Sequence, residues 1–569
     1  MGKIRKSRSE SASSDWTWEE TREIFTDWVA DWGRTSGIKE KLRWKDFPLW
    51  WVSNLVQKDA FTDNQWYVEL HKRLKYRKYE RVGRGSRFLT IIKILASLFK
   101  YVVCWIYGKS LPDFSYQEDR FIYFHSLESN LIRFQGKIVD RMYEAAPLDD
   151  VYYGLRSAYA LRLNFAREDL LRPLQWRKRV LGYVDQAERP LVFLDRYLSL
   201  RDIFHVHLSL VANYIKFLFL FLPFAKAGIR IGSAEVSDIV FKEIQNSFSA
   251  IMPWSLLYAV MFDRWLEERK STEVIINYGE TLAPIRAVNH IVNRHIFRPL
   301  WISIQHATAY RHKLGLYHRR AEFEETAEDR NFSSEPDFYF IHGKQFEEIL
   351  SEYYPKERIR KIGCLKYDSL YRLKKRMQHE KGGKPSKTKA LLLAPSIGDE
   401  EIIFRLFSGL GSLAGWKVIL SKHPTVSEEH IAKILLDNDV KIPIEVNPDK
   451  STKELIYGSD LVLTGFSGIA LEAAYLGVPA IRVFDSEKPP AVEGESGLAY
   501  IEDQVGLMKL LKSHEHGGRN STGAETIQNT IRRFFFRIDG KVSQRFWENL
   551  REILEKDVRF TRLMKKYAE

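Results

Sequence analysis

Two short segments put anion-binding chemistry at the ends of apolar strands. The first is SKHPT, Ser421 to Thr425, directly after the apolar run WKVIL. Lys422 and His423 offer an ammonium and an imidazole to a phosphate. Pro424 fixes the turn and frees the loop from the strand ladder. The second is LTGFSGIALEAAYLGVPAI, Leu463 to Ile481. A strand ending at Thr464 turns through Ser467 and Gly468 into a helix. Small residues there let backbone N–H groups and a hydroxyl approach an anion at the helix N-terminus. Glu472, in the second turn, suits ribose hydroxyls or a base. Each segment alone also reads as a surface loop or a capped strand–helix turn.

A third group lies upstream. INYGE ends a strand at Glu280, and SIQHATAYRHKLGLYH follows the next strand. Glu280 is a candidate general base. Arg286, Arg311 and His312 are candidate contacts for an anionic ligand. Glu128, in SLESN, is a candidate cleft residue, whereas Asp140 reads as a cap. No metal site is read: His312 and His318 are six apart, without an HExxH motif or a carboxylate cluster.

These residues need elements to hold them. Strand and helix patterns alternate after residue 390: ALLLAPS, WKVILSKHP, KIPIEVNP, DLVLTG and VPAIRVFD are strands. Helices lie between them, with Ser427 as an N-cap and a capping box at Ser451 and Glu454. A helix is expected around 399–413. Apolar strands in this alternation mean a parallel sheet covered on both faces, with ligands at the strand carboxyl ends. The middle region repeats the alternation less cleanly, with strands at 120–128, 190–199, 272–280, 299–308 and 336–343 and a closing segment at 358–368. The Gly/Lys/Ser-rich EKGGKPSKTK marks an exposed boundary.

The chain has 569 residues, with 45% hydrophobic and 28% charged, so it is globular and multidomain. Two cysteines exclude a disulfide framework. The net charge of +14 favours anionic partners. Nucleic acid is not among those expected, because the basic run lacks the motif of any reader module. No secretory signal is visible in MGKIRKSRSESASSDW.

Residues 88–107, FLTIIKILASLFKYVVCWIY, are long enough to span a bilayer, but Lys93 and Lys100 share one helical face with Ser97. Eight basic residues between Lys72 and Arg87, against Glu80 alone, mark an interfacial anchor on acidic lipid. A spanning helix and a helix packed on the domains are the alternatives. Residues 208–224 read as buried or interfacial. Eight of the 15 tryptophans fall within the first 66 residues. They suit sugar stacking, a membrane interface, or a plug that docks this arm on the body.

The paired motifs, KHP and then TxxSxxxLEAxxxGVP, resemble those of bacterial surface carbohydrate (capsule and O-antigen) biosynthesis glycosyltransferases of the GT-B fold. More distantly, the chain is similar to capsular Kdo transferases, polysialyltransferases and CDP-glycerol glycerophosphotransferases. The resemblance covers roughly residues 115–550, including FFFRIDGKVSQRFWENL. It implies two Rossmann-like doubly wound domains facing a cleft, behind a helical aromatic and basic extension. Implied boundaries are a membrane-associating extension 1–110, an acceptor domain 111–379, a linker 380–389, a nucleotide-donor domain 390–535, and a returning helix in 536–569. It implies that His423 and Ser467 bind the donor phosphate, and that His306 is the general base, with Glu280 its rival. It implies no bound cofactor and no metal, with Lys422, His423 and a helix N-terminus at the leaving phosphate. The donor would be a nucleotide sugar, CMP-linked and acidic as first guess, with UDP or GDP next. The acceptor would be a lipid-linked or growing glycan, and the location the cytoplasmic face of the inner membrane, held peripherally. Phe466 and Gly468 flank Ser467 where polysialyltransferase-like members have two adjacent serines, so donor identity does not transfer. The alternatives are a nucleotide-sugar epimerase of the UDP-GlcNAc 2-epimerase type and a non-catalytic assembly protein.

Overall fold

The computed structural model describes residues 16–58, 65–76, 86–111, 122–134, 136–144, 146, 157–163, 172–187, 189–269, 274–279, 282–296, 298–310, 313–323, 333–379, 388–396, 398–423, 426–446, 450–485, 498–515 and 524–560. The chain opens with helices α1 (Trp18–Thr35), α2 (Gln65–Tyr76) and α3 (Arg87–Ser110). Thr17 and Glu20 form a reciprocal capping box at the start of α1.

The first sheet holds β1 (Ile122–Leu127), β2 (Ser157–Arg162), β3 (Leu191–Phe193), β4 (Val274–Tyr278), β5 (Leu300–Ile304), β6 (Phe338–Ile341) and β7 (Ile359–Lys361). Every pair is parallel, in the order β7-β6-β5-β4-β1-β2-β3. The helices α4 (Leu200–Ala227), α5 (Ser237–Ser249), α6 (Ile251–Arg269) and α7 (Ala283–Arg294) belong to this domain, and α8 (Tyr367–His379) leads out of it.

The second sheet holds β8 (Lys389–Leu393), β9 (Trp416–Leu420), β10 (Ile444–Val446), β11 (Leu461–Thr464), β12 (Ala480–Val483) and β13 (Ala499–Ile501). Its order is β10-β9-β8-β11-β12-β13, again all parallel. Its helices include α9 (Glu428–Asp437), α10 (Thr452–Tyr457) and α11 (Ile469–Leu476). Ser427 caps α9, and Ser451 with Glu454 forms the capping box of α10, where the sequence sets them. The helix expected over 399–413 stops at Arg405, and Gly409 follows in the left-handed region at φ 70°.

In each sheet the strand order reverses beside the first strand, between β1 and β4 and between β8 and β11. Ligands bind at such switch points, outside the strand carboxyl ends. The last helix, α12 (Val542–Lys556), packs Phe546, Trp547 and Leu550 into the core of the first domain. Asp368 accepts two of the free N–H groups at the start of α12, from Val542 and Ser543 at 3.0 Å each. Two doubly wound domains with this return crossing are the GT-B arrangement.

The aromatic arm is core. Trp44, Trp50 and Trp51 are buried in one cluster with Trp265 and Trp301 from the first domain. Burial of this kind takes these three indoles out of reach of a sugar or a bilayer, and the plug reading holds for them.

Candidate functional site

The β8–β11 switch point of the second domain is bound together by one carboxylate. Asp399, in the loop after β8, accepts Phe466 N–H at 2.7 Å and Ser396 N–H at 2.6 Å. It is fully buried, and burial pushes its carboxyl up to about 7 against those two donors. A Cβ at Gly465 would lie 2.2 Å from Asp399 Oδ2, so only glycine fits beside it. Arg482, buried at the end of β12, donates to Gly465 O and reaches Tyr310 OH at 3.4 Å.

Ser467, Gly468 and Ile469 form the half-exposed N-terminus of α11. Ser467 Oγ accepts Ile469 N–H at 3.3 Å. Gly468 meets the first domain here: a Cβ on it would be 2.6 Å from Thr308 Oγ1. Thr308 stands two residues past His306 in the loop after β5. The phosphate motif and the candidate base therefore come from opposite domains to one seam.

His423 lies half-buried at the exit of β9. Burial, with the positive charges of Arg141 and Lys422, holds its imidazole below the usual value. Arg141 belongs to the first domain. It follows the hairpin Leu131–Phe134 and Lys137–Asp140, and its Nε donates to Asn130 Oδ1 at 3.0 Å. Asn130 donates to Tyr278 OH and to Ser126 Oγ, and Ser126 donates to Asp140. This network sits at the β1–β4 switch point, and the ring of Tyr278 is 6.2 Å from that of His306. His306 is half-buried, and its carbonyl accepts Lys366 Nζ at 3.1 Å. Lys453 of α10 crosses to the first domain, donating to Glu144 Oε1 at 2.7 Å, to Lys366 O at 2.6 Å and to Ser369 Oγ at 2.5 Å.

Other sequence candidates also make contacts within the protein. Thr464 is buried and donates to Ala394 O at 2.7 Å, tying β11 to the β8 exit. Lys422 Nζ donates to Val426 O at 2.9 Å, which holds its own loop closed. Glu472 accepts the Tyr367 hydroxyl at 2.9 Å, at the root of α8. Arg286 does not reach the cleft. It is 0% exposed, bonded to His318 at 3.1 Å inside a network with Lys58 and Glu322. Glu128 is likewise sealed, 3.4 Å from Arg179. Asp140 closes a turn, accepting Met142 N–H at 2.6 Å, so it caps a turn and not a helix. Glu280, Arg311, His312 and Pro424 lie outside the described residues, as does the linker 380–387.

Arg141, Lys366, Lys453 and Asp399 are site neighbours that no motif marks. Each is a charged residue beside a strand exit, a signal too common in any sequence to single out. Arg141 brings positive charge to the His423 side of the seam and Lys366 to the His306 side, whereas Lys453 is paired with Glu144.

The sequence matches no family model and no curated protein. Among solved structures, it is similar to UDP-GlcNAc 2-epimerase from Neisseria meningitidis bound to UDP-GlcNAc, at 13% identity and TM-score 0.42, over 76% of this chain and 99% of that one. A putative UDP-N-acetylglucosamine 2-epimerase from Listeria monocytogenes gives 13% and 0.41, over 77% and 98%. The wall teichoic acid polymerase TagF gives 14% and 0.40, over 83% and 98%.

Proposed function

We propose that this chain is a glycosyltransferase that moves a sugar from a nucleotide-activated donor to a lipid-linked or growing surface glycan. The observation that carries the reading is the seam itself. Gly468 and Ser467 at the head of α11 approach the His306–Thr308 loop, while Arg141 of the first domain bears on His423 of the second.

In this reading the donor phosphate lies at the N-terminus of α11, where backbone N–H groups and the helix dipole favour negative charge. His423 faces it from the β9 exit. A bound phosphate offsets the Arg141 and Lys422 charges, so the imidazole gains a proton as the anion arrives. His306 takes the proton of the acceptor hydroxyl as that oxygen attacks the anomeric carbon, which makes the reaction inverting. The sugar–phosphate bond breaks, and the phosphate leaves with its charge met by His423 and α11.

The test is a thermal-shift panel of CMP, CDP, UDP, GDP and dTDP on wild type and His423→Ala. A nucleotide that binds only the folded chain stabilises it by about 2.7 kcal/mol at a hundredfold excess over Kd. One nucleotide is expected to shift wild type, with affinity at least tenfold weaker in His423→Ala. Wild-type affinity should rise from pH 8 to pH 6, because the bound state takes up a proton, and the variant should be flat. If no nucleotide shifts the folded wild type, the donor-site reading falls. Product analysis with the matching nucleotide sugar separates transfer from epimerisation.

A further inference from the structure

Helices α3 and α4 lie antiparallel along each other. Trp105 Nε1 donates to Leu198 O at 3.0 Å, Ser97 Oγ meets His207 Nε2 at 2.9 Å, and Tyr214 OH donates to Arg87 O at 3.2 Å. One side of each is sealed against the protein along its length, through Ile94, Tyr101 and Cys104 on α3 and Val206, Tyr214 and Phe221 on α4. The other side is bare. Of the twenty large apolar side chains exposed among the described residues, six lie on α3 and six on α4. They recur at helical spacing, as with Phe88, Ile92 and Phe99 on one helix and Leu208, Ile215 and Phe219 on the other. Phe99 is 72% exposed and Phe219 is 70% exposed. Scattered surface apolar residues need no explanation, but a contiguous patch on two adjacent helices does.

We infer that α3 and α4 together form a docking face for an acidic lipid bilayer, lying in the interface plane. Charge selects this occupant. α3 carries Arg87, Lys93, Lys100 and Lys109 and no acidic residue. α4 carries Arg201, Lys216 and Lys226, and its one acid, Asp202, is engaged by its capping box and by Arg264. A second copy would set these seven cations against themselves across a two-fold axis. Anionic headgroups complement them, and long lysine stems follow an apolar surface while their heads reach water. Both helices are long enough to cross a bilayer. Neither can be ringed by lipid, because each has a protein-sealed side, so both lie flat. α4 begins just past the carboxyl end of β3, and Lys109 at the end of α3 donates to Arg196 O there. The face thus starts at the sheet edge that carries the strand exits. Delivery of a lipid-linked acceptor from it to the cleft rests on the proposed function. The docking itself does not.

The test is co-sedimentation of the full chain with phosphatidylcholine vesicles, with and without about 30% phosphatidylglycerol, at low and high salt. Binding to the anionic vesicles is expected, weakened by salt. Phe99→Asp with Phe219→Asp should weaken it at least tenfold with an unchanged melting curve, since both side chains are exposed. Leu174→Asp, an exposed apolar residue on another helix, should leave it intact. Lys93→Gln with Lys100→Gln and Lys216→Gln should remove most of the preference for anionic lipid. His423→Ala should bind vesicles as wild type does, which separates this inference from the donor reading. It is overturned if wild type stays in the supernatant with both vesicles, or if the double aspartate variant binds normally. A wild-type dimer that this variant dissociates, without vesicle binding, overturns it in favour of a second copy.

Discussion

At Gly465 one methyl group is too many. A Cβ there falls 2.2 Å from Asp399 Oδ2 and 2.7 Å from its Cγ. The carboxylate cannot step aside without releasing Phe466 N–H and Ser396 N–H, both of which it holds within 2.7 Å. Overpacking of this kind costs about 1–3 kcal/mol. Gly465→Ala is therefore expected to lower the urea midpoint by a corresponding amount. Asp399→Ala is also destabilising, because it strands two backbone donors. In that background the alanine at 465 meets empty space and should add little. The four-protein cycle should show a coupling of about 1 kcal/mol or more. Simple additivity would mean that Gly465 is there for some reason other than Asp399. The chemistry of this position was only half readable. Gly465 and Gly468, on either side of the Phe466–Ser467 pair, are visible in the sequence, but the carboxylate that makes Gly465 obligatory lies 66 residues earlier, in a different loop.

At the scale of elements, the sequence was readable wherever the signal is local. The caps at Ser427 and Ser451 and the apolar runs of the second sheet need only neighbouring residues. β2 went unread because Ser-Ala-Tyr-Ala-Leu-Arg holds no β-branched residue and no alternation. It is a strand because it is buried on both faces between β1 and β3. The bolt between the aromatic arm and the first domain was equally hidden. Lys58, Glu322, His318 and Arg286 are all within 2% of full burial. Lys58 Nζ is 2.7 Å from Glu322 Oε1, and His318 Nδ1 is 3.0 Å from Glu322 Oε2. Burial pushes the Glu322 carboxyl up, but Lys58 and His318 pull harder and leave it at about 2. A carboxyl held below its unfolded value stabilises above about pH 4.5, and that stability is lost as pH falls through 2. Glu322→Gln removes the partner that keeps Lys58 charged; burial already holds that ammonium at about 8, so it can shed its proton, and a loss of about 1–3 kcal/mol is expected at pH 7. The gap between variant and wild type should shrink below pH 4. Denaturant unfolding at both pH values checks this. An equal gap at pH 7 and pH 3 would rule the charge account out.

For the molecule as a whole, the two-domain plan followed from repeated strand–helix alternation, because each doubly wound sheet is a local pattern written twice. What that pattern omits is how the halves meet. Lys453 is the clearest case: an unremarkable lysine on a short helix, whose amine spans from α10 to Glu144, Lys366 and Ser369. Burial raises the Glu144 carboxyl even with Lys453 beside it. Without the lysine, Glu144 can take a proton and avoid most of the penalty of an unpaired charge. Each domain keeps its own core, since Lys453 is only half-buried at the surface of α10. Lys453→Gln is therefore expected to loosen the seam more than it destabilises either fold. Solution scattering should show a larger radius of gyration, and backbone amides around residues 366–369 should exchange faster, with the melting temperature nearly unchanged. If the closed seam is the nucleotide-binding state, the variant binds more weakly by the fraction of molecules now open, a loss of about severalfold. Identical scattering and exchange in the variant would mean that the domains are held by their packing alone, through α12 and the Tyr367–Glu472 contact, and that Lys453 is only a passenger at the seam.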